Sequence, residues 1–163
     1  LRLPKTDTND SEVAHIMGAL CLNRSLKLLD LSNNCIGGNN EKMADRDGHK
    51  GEGGASIGRM LSANSTLTWL DLSWNQLGVE SGILIGEAIS GNNSVSWLNL
   101  ANNSLGNGGG MKLGEALQQN SALTHLDLSD NGIGIAGITV MGKGLRQNAT
   151  LKSLVVDGNK MGQ

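Results

Sequence analysis

His125, Asp127 and Ser129 stand at alternate positions of the segment HLDLS, and a histidine, a carboxylate and a hydroxyl are the residue types of a nucleophilic hydrolase. On an extended chain, alternate residues share a face but lie about 7 Å apart. That is too far for the base to take a proton from the hydroxyl, so the three do not read as a catalytic triad. Other candidates are weaker. GNGGG, from Gly106 to Gly110, resembles a phosphate-cradling loop, yet no Gly-Lys-Ser/Thr follows it. His15, His49 and His125 are scattered, no His-Glu-x-x-His or paired-Cys motif offers a metal site, and His49 with Asp45 and Asp47 lacks ligand spacing. No catalytic residue, metal ligand or cofactor is expected, and the chain reads as a non-enzyme.

The elements that hold these residues recur. LKLLDLSNNCIG (Leu26 to Gly37), LTWLDLSWNQLG (Leu67 to Gly78), VSWLNLANNSLG (Val95 to Gly106) and LTHLDLSDNGIG (Leu123 to Gly134) are four copies of one phrase, and LKSLVVDGNKMG (Leu151 to Gly162) is a looser fifth. Their Asn residues, Asn34, Asn75, Asn103, Asn131 and Asn159, are spaced by 41, 28, 28 and 28 positions, so the chain is a solenoid. Leu29 and Leu31, two residues apart, mark a strand with one face inward, and strands are expected over 28–32, 69–73, 97–101, 125–129 and 153–157. Further on, Ile57, Met60 and Leu61, and their counterparts Ile85, Ala88 and Ile89, follow the i, i+3, i+4 spacing of a helix. Parallel strands stack about 4.8 Å apart and helices about 8–10 Å apart. The array must therefore curve, with the sheet inside and the helices outside.

The remaining recurrent residues read as structural. A buried Asn can serve turn groups that lack ladder partners, so the five phrase Asn residues should form a spine. A second set, Asn23, Asn64, Asn92, Asn120 and Asn148, falls where the helix pattern stops and is expected in the left-handed conformation of a helix end. Gly58, Gly86, Gly114 and Gly142 share a slot inside the helices, which predicts close backbone approach between neighbours.

These phrases resemble the 28-residue leucine-rich repeats of the ribonuclease-inhibitor class, and the DLSxNxIG wording is most similar to repeats of NOD-like receptors and of axonemal and cytoskeletal proteins. The resemblance implies an α/β leucine-rich repeat solenoid, a curved horseshoe segment with a parallel sheet inside. For function it implies ligand sensing or scaffolding, with a structural spacer of an assembly or a GTPase-activating protein as other uses of the same repeats. Cys21 and Cys35 lie outside the Asn slot, unlike the pattern of the ribonuclease inhibitor itself.

All 163 residues read as one domain, about five full repeats with a partial one at the start: Leu1 and Leu3 lie 28 positions before Leu29 and Leu31, and the segment from Glu12 to Leu22 supplies its helix. The first and last residues fall in mid-pattern, so the chain is expected to be a piece of a longer array, with end-to-end self-association of the fragment as a consequence. One polar insertion, 38–50, breaks the rhythm and reads either as a tolerated loop or as a contact arm on the binding side. A net charge of −2 argues against a nucleic-acid binder, which needs a basic stripe. No apolar run suits a membrane, and two cysteines make no disulfide framework, which together point to a cytoplasmic setting. Of the Asn-x-Ser/Thr sites at Asn23, Asn64, Asn92, Asn102 and Asn148, all but Asn102 fall in the helix-end slot of the repeat, and none is expected to carry a glycan.

Aligning the strands places Leu28, Trp69, Trp97, His125 and Ser153 in one column of the concave face, and Asp30, Asp71, Asn99, Asp127 and Val155 in the next. Trp74 falls in a further column at the turn. All three tryptophans of a chain without Phe or Tyr thus point away from the core. Stacking of Trp69 on Trp97 would serve the sheet alone. Exposed indoles beside carboxylates are also the makings of a binding anchor, so Trp69, Trp97, Trp74, His125, Asp71 and Asp127 are the expected contacts for a protein partner with a basic segment.

Overall fold

The Leu pair of each repeat buries one face of a short strand, and the apolar triplet that follows buries one face of a helix. In a computed structural model, which describes residues 1–38 and 52–159, helices and strands alternate: α1 (Asp10–Leu22), β1 (Leu28–Asp30), α2 (Glu52–Ala63), β2 (Trp69–Asp71), α3 (Gly78–Gly91), β3 (Trp97–Asn99), α4 (Gly106–Leu117), β4 (His125–Asp127), α5 (Ile135–Leu145) and β5 (Ser153–Val155). The strands form one parallel sheet in sequential order, with Leu28, Trp69, Trp97, His125 and Ser153 in register. Arg2 adds a single parallel bridge to Asp30, so the first residues continue the sheet by one position. Apart from Gly38, the 38–50 insertion lies outside the described residues.

A single core runs the length of the array between the two layers. Leu29, Leu70, Leu98 and Leu126 from the strands meet Ile57, Ile85, Leu113 and Met141 from the helices, all essentially excluded from solvent. α1 begins at Asn9, whose Oδ1 accepts from the Ser11 and Glu12 N–H groups while Glu12 accepts from the Asn9 N–H, a reciprocal cap.

The strands are two residues shorter than expected. Beyond Asp71, the Leu72 and Trp74 N–H groups still donate to the next repeat at 2.9 Å. The Ser73 N–H instead turns back to Asp71 Oδ1, and the regular ladder ends there.

The phrase Asn residues form the expected spine. Asn103, wholly buried, donates from Nδ2 to the Leu100 and Ala101 carbonyls of its own turn and to Leu72 O of the preceding repeat, and its Oδ1 accepts from Leu77 N–H. Asn34, Asn75, Asn131 and Asn159 repeat this arrangement. In the N-terminal repeat Thr6 takes the slot, its hydroxyl donating to Leu3 O at 3.0 Å.

The second Asn set departs from expectation. Asn23 (φ −71°) and Asn92 (φ −76°) are extended, not left-handed. The set builds a second spine: Asn64, Asn92, Asn120 and Asn148 each donate from Nδ2 to the last turn of the previous helix at 2.7–2.8 Å, and each Oδ1 accepts from the backbone entering its own strand. The carbonyls at the end of a helix lack partners within it, and here the neighbouring repeat supplies them.

The glycine slot does bring backbones together. A methyl group on Gly114 would lie 2.6 Å from Met141 N, and one on Gly86 would lie 3.1 Å from Leu113 N. The same methyl on Gly142 would meet nothing within 4 Å.

Two matched pairs test this framework by chemical denaturation. Gly114→Ala should lose about 1–2 kcal/mol, because overpacking against backbone outweighs the helix propensity gained, whereas Gly142→Ala should gain roughly 0.5–1 kcal/mol. Asn103→Ala should cost about 2–3 kcal/mol by leaving buried turn groups unpaired. Asn102→Gly, which keeps the positive φ of 56° allowed, should change stability by only a few tenths of a kcal/mol.

Candidate functional site on the concave sheet

Successive parallel strands bring the same slot of each repeat to about 4.8 Å, which is stacking distance for flat rings. Trp69 and Trp97 are stacked with centroids 4.3 Å apart and an interplanar angle of 9°, and His125 stacks on the other face of Trp97 at 5.1 Å and 3°. The three rings form one file across β2, β3 and β4, each half-buried. Each ring covers its neighbour's face, and the file turns edges to solvent. Such stacked pairs contribute about 0.5–1.5 kcal/mol beyond area burial, so the file stiffens the sheet as well as presenting a surface.

Asp71 and Asp127 lie two residues further along the same strands. Asp71 Oδ1 accepts from Ser73 N–H (2.9 Å) and Ser73 Oγ–H (2.6 Å), and Asp127 Oδ1 likewise from Ser129 (2.9 and 2.7 Å). One oxygen of each carboxylate therefore ends the strand, and these bonds fix the direction of the other. Between them Asn99 donates to Asp71 Oδ2 at 3.4 Å. Ser73, Ser129 and Asn99 were not among the expected site residues. Their signal was present in the recurrent Asp-Leu-Ser, whose spacing is that of a side chain capping the backbone two residues on.

The same bonds settle the arrangement of His125, Asp127 and Ser129. The Ser129 hydroxyl donates to Asp127, and His125 engages Trp97 through its ring, so no histidine–serine pair forms. Among the described residues no group of three or more His, Cys, Asp or Glu could hold a metal ion.

Trp74 stands apart from the file. It occupies the first position of the turn, makes no ring contact with Trp69 or Trp97, and is 59% exposed. Its φ is +56°. The equivalent residues Lys5, Asn33, Asn102, Asp130 and Gly158 also have positive φ, so the repeat imposes this conformation on the slot. Asn, Asp and Gly adopt it readily, while a bulky side chain there is strained by roughly 1–2 kcal/mol. The structure thus brings Trp69, Trp97 and His125 into contact, sets Asp71 and Asp127 beside them, and places Trp74 separately at the rim.

The convex face is built differently. Lys112 on α4 bridges Glu115 (3.2 Å) and Glu87 of α3 (3.5 Å), and its ammonium is held above its ordinary pKa by the hydrogen bond and charge of Glu115, with Glu87 adding to both. All three side chains are solvent-accessible, so the network contributes little to stability. No described helix is long and apolar enough to cross a membrane.

Comparison with known proteins agrees with this architecture. No curated protein sequence matches the chain. Among solved structures, leiomodin-1 actin-binding site 2 superposes with a TM-score of 0.66 over 90% of this chain and 78% of that one, at 20% sequence identity, a likeness of fold. A family model described as leucine-rich repeat matches residues 22–39, 63–86, 91–114 and 119–141, more than half of the sequence. With its parallel sheet, stacked helices and Asn spines in the same register as those matches, the chain belongs to the leucine-rich repeat family.

Proposed function

We propose that this chain is a protein-interaction module that binds through its concave sheet, in a ligand-sensing or scaffolding role. Trp69, Trp97 and His125 form the central contact, Trp74 is an anchor at the rim, and Asp71 and Asp127 favour a basic segment of the partner. The observation that carries the reading is Trp74. An indole strained by its backbone, 59% exposed and without ring contact to the file stands in a slot where four other repeats carry Asn33, Asn102, Asp130 and Gly158, residues that adopt its positive φ readily. Strain of this kind is retained at sites of function, and Trp is enriched among the residues that dominate binding energy. The leiomodin-1 structure shares the fold and by its description binds actin. It is an instance of this architecture meeting a protein partner, and at 20% identity it names none for this chain.

The other reading makes the array a structural spacer that contacts an assembly through its convex helices. The ion-pair network of Glu87, Lys112 and Glu115 is the feature such contacts would use. The two readings place the partner on opposite faces.

Trp74→Asn separates stability from binding. It should raise stability by about 1 kcal/mol, because Asn relieves the positive-φ strain, and it should weaken binding to the partner by about 2 kcal/mol. Denaturant midpoints and titration calorimetry measure the two effects. Glu87→Ala with Glu115→Ala should leave affinity unchanged. A helix-face pair that abolishes binding while Trp74→Asn leaves it intact would overturn the concave site and favour the spacer.

A further inference from the structure

The concave site presents its features at a fixed interval, and the interval constrains the shape of what can lie across it. Three ring edges succeed one another at centroid steps of 4.3 and 5.1 Å along the array. A segment lying across the strands must bring one side chain of the same face to each step if it is to meet every ring. An extended strand returns a side chain to one face about every 6.8 Å. A polyproline helix does so about every 9.3 Å. An α-helix returns one every three to four residues, about 5.4 Å per turn, and it alone keeps step with the file. The acidic row agrees. Asp71 and Asp127 lie two strand steps apart, about 9.6 Å from the sheet spacing, and positions i and i+7 of a helix are about 10.5 Å apart. That mismatch is well within the reach of an arginine.

We infer that the concave sheet receives an amphipathic α-helix of the partner, lying across the strands, whose apolar stripe rests on the edges of Trp69, Trp97 and His125 and whose flank carries basic residues seven positions apart that meet Asp71 and Asp127. This rests on the concave-face reading above and adds the form and charge of the occupant. The fixed carboxylates favour arginine at those flank positions. Ser73 and Ser129 hold one oxygen of each, so the other is already oriented, and a guanidinium directs several donors at a carboxylate from a rigid plane. At the N-terminal end of the acidic row Arg2 pairs with the Asp30 backbone. The register puts an opposite charge one strand step from Asp30, and the basic contacts are assigned to Asp71 and Asp127.

The test uses the whole chain and two designed 18-residue peptides of equal composition. In the first, leucines at peptide positions 4, 8 and 11 form a stripe, arginines at positions 5 and 12 form a flank, and a side-chain lactam on the far face holds the helix. The second places the same leucines and arginines at alternate positions, for an extended chain. Affinity is read by titration, and location by the indole N–H resonances of Trp69, Trp97 and Trp74. The helical peptide should bind about tenfold more tightly than the alternating one, shift the Trp69 and Trp97 resonances, and lose most of its salt dependence in Asp71→Asn with Asp127→Asn. Tighter binding by the alternating peptide, with the same resonances shifted, would overturn the helical occupant and leave the concave site standing. If neither peptide moves any indole resonance, the helical occupant and the concave reading both fall.

Discussion

One bond pattern holds this molecule together: the side-chain amide of a buried Asn joined at both ends to the backbone of successive repeats. A strand three residues long leaves most of each repeat's peptide groups outside the ladder, and in the interior those groups cannot be left without partners. Asn answers the requirement because it both donates and accepts from one rigid plane. Asn103 reaches the turn of its own repeat and the strand end of the one before. Asn92 and Asn120 do the same for the helix ends. With two such lines, every boundary between layers is cross-linked by hydrogen bonds, and the hydrophobic core is confined to the channel between them.

That constraint fixes what the rest of each repeat can be. Helices tied at both ends to their neighbours must pack closely, and α4 meets α5 with backbone where Gly114 faces Met141. Positive φ follows every strand because the chain must turn sharply to bring the spine Asn inward, whatever residue occupies the slot. The sheet's outer face is the place least governed by these demands. Its first column varies from repeat to repeat, as Leu, Trp, Trp, His and Ser, while the next keeps the Asp that accepts from the backbone two residues on.

Function in a solenoid is carried by such variation. The indole file and the two tethered carboxylates give the middle of the sheet a rigid, half-buried, acidic relief that a partner can meet with little loss of side-chain freedom. Trp74 stands at its rim at the expense of backbone strain. The helices on the other face carry exposed charges such as Lys112 bridged between Glu87 and Glu115, so the two faces differ in chemistry as well as in curvature.

The sequence alone determined the architecture, because a period of 28 residues with Leu at strand spacing, an apolar triplet at helix spacing and Asn at one slot admits a single stacking solution. Even the register of the concave columns was legible, since parallel strands of equal repeats pair like with like. The tertiary structure decided what each recurrent polar residue does. Helix-end Asn suggested local left-handed geometry, yet it became a second inter-repeat spine, because the carbonyls it serves belong to another repeat and are invisible to local spacing. The left-handed residues lay at the turn after each strand, where the tilt needed to seat the spine sets the backbone. Asp71 and Asp127 looked like free charges, and the structure tied one oxygen of each to a serine two residues on. Trp69 and Trp97 were legible as a pair by column, and Trp74 as the occupant of a separate column at the turn. The positive φ of its slot is legible in the Asn33, Asn102, Asp130 and Gly158 that share it, but the direction of an indole there, clear of the ring file, follows only from the assembled turn.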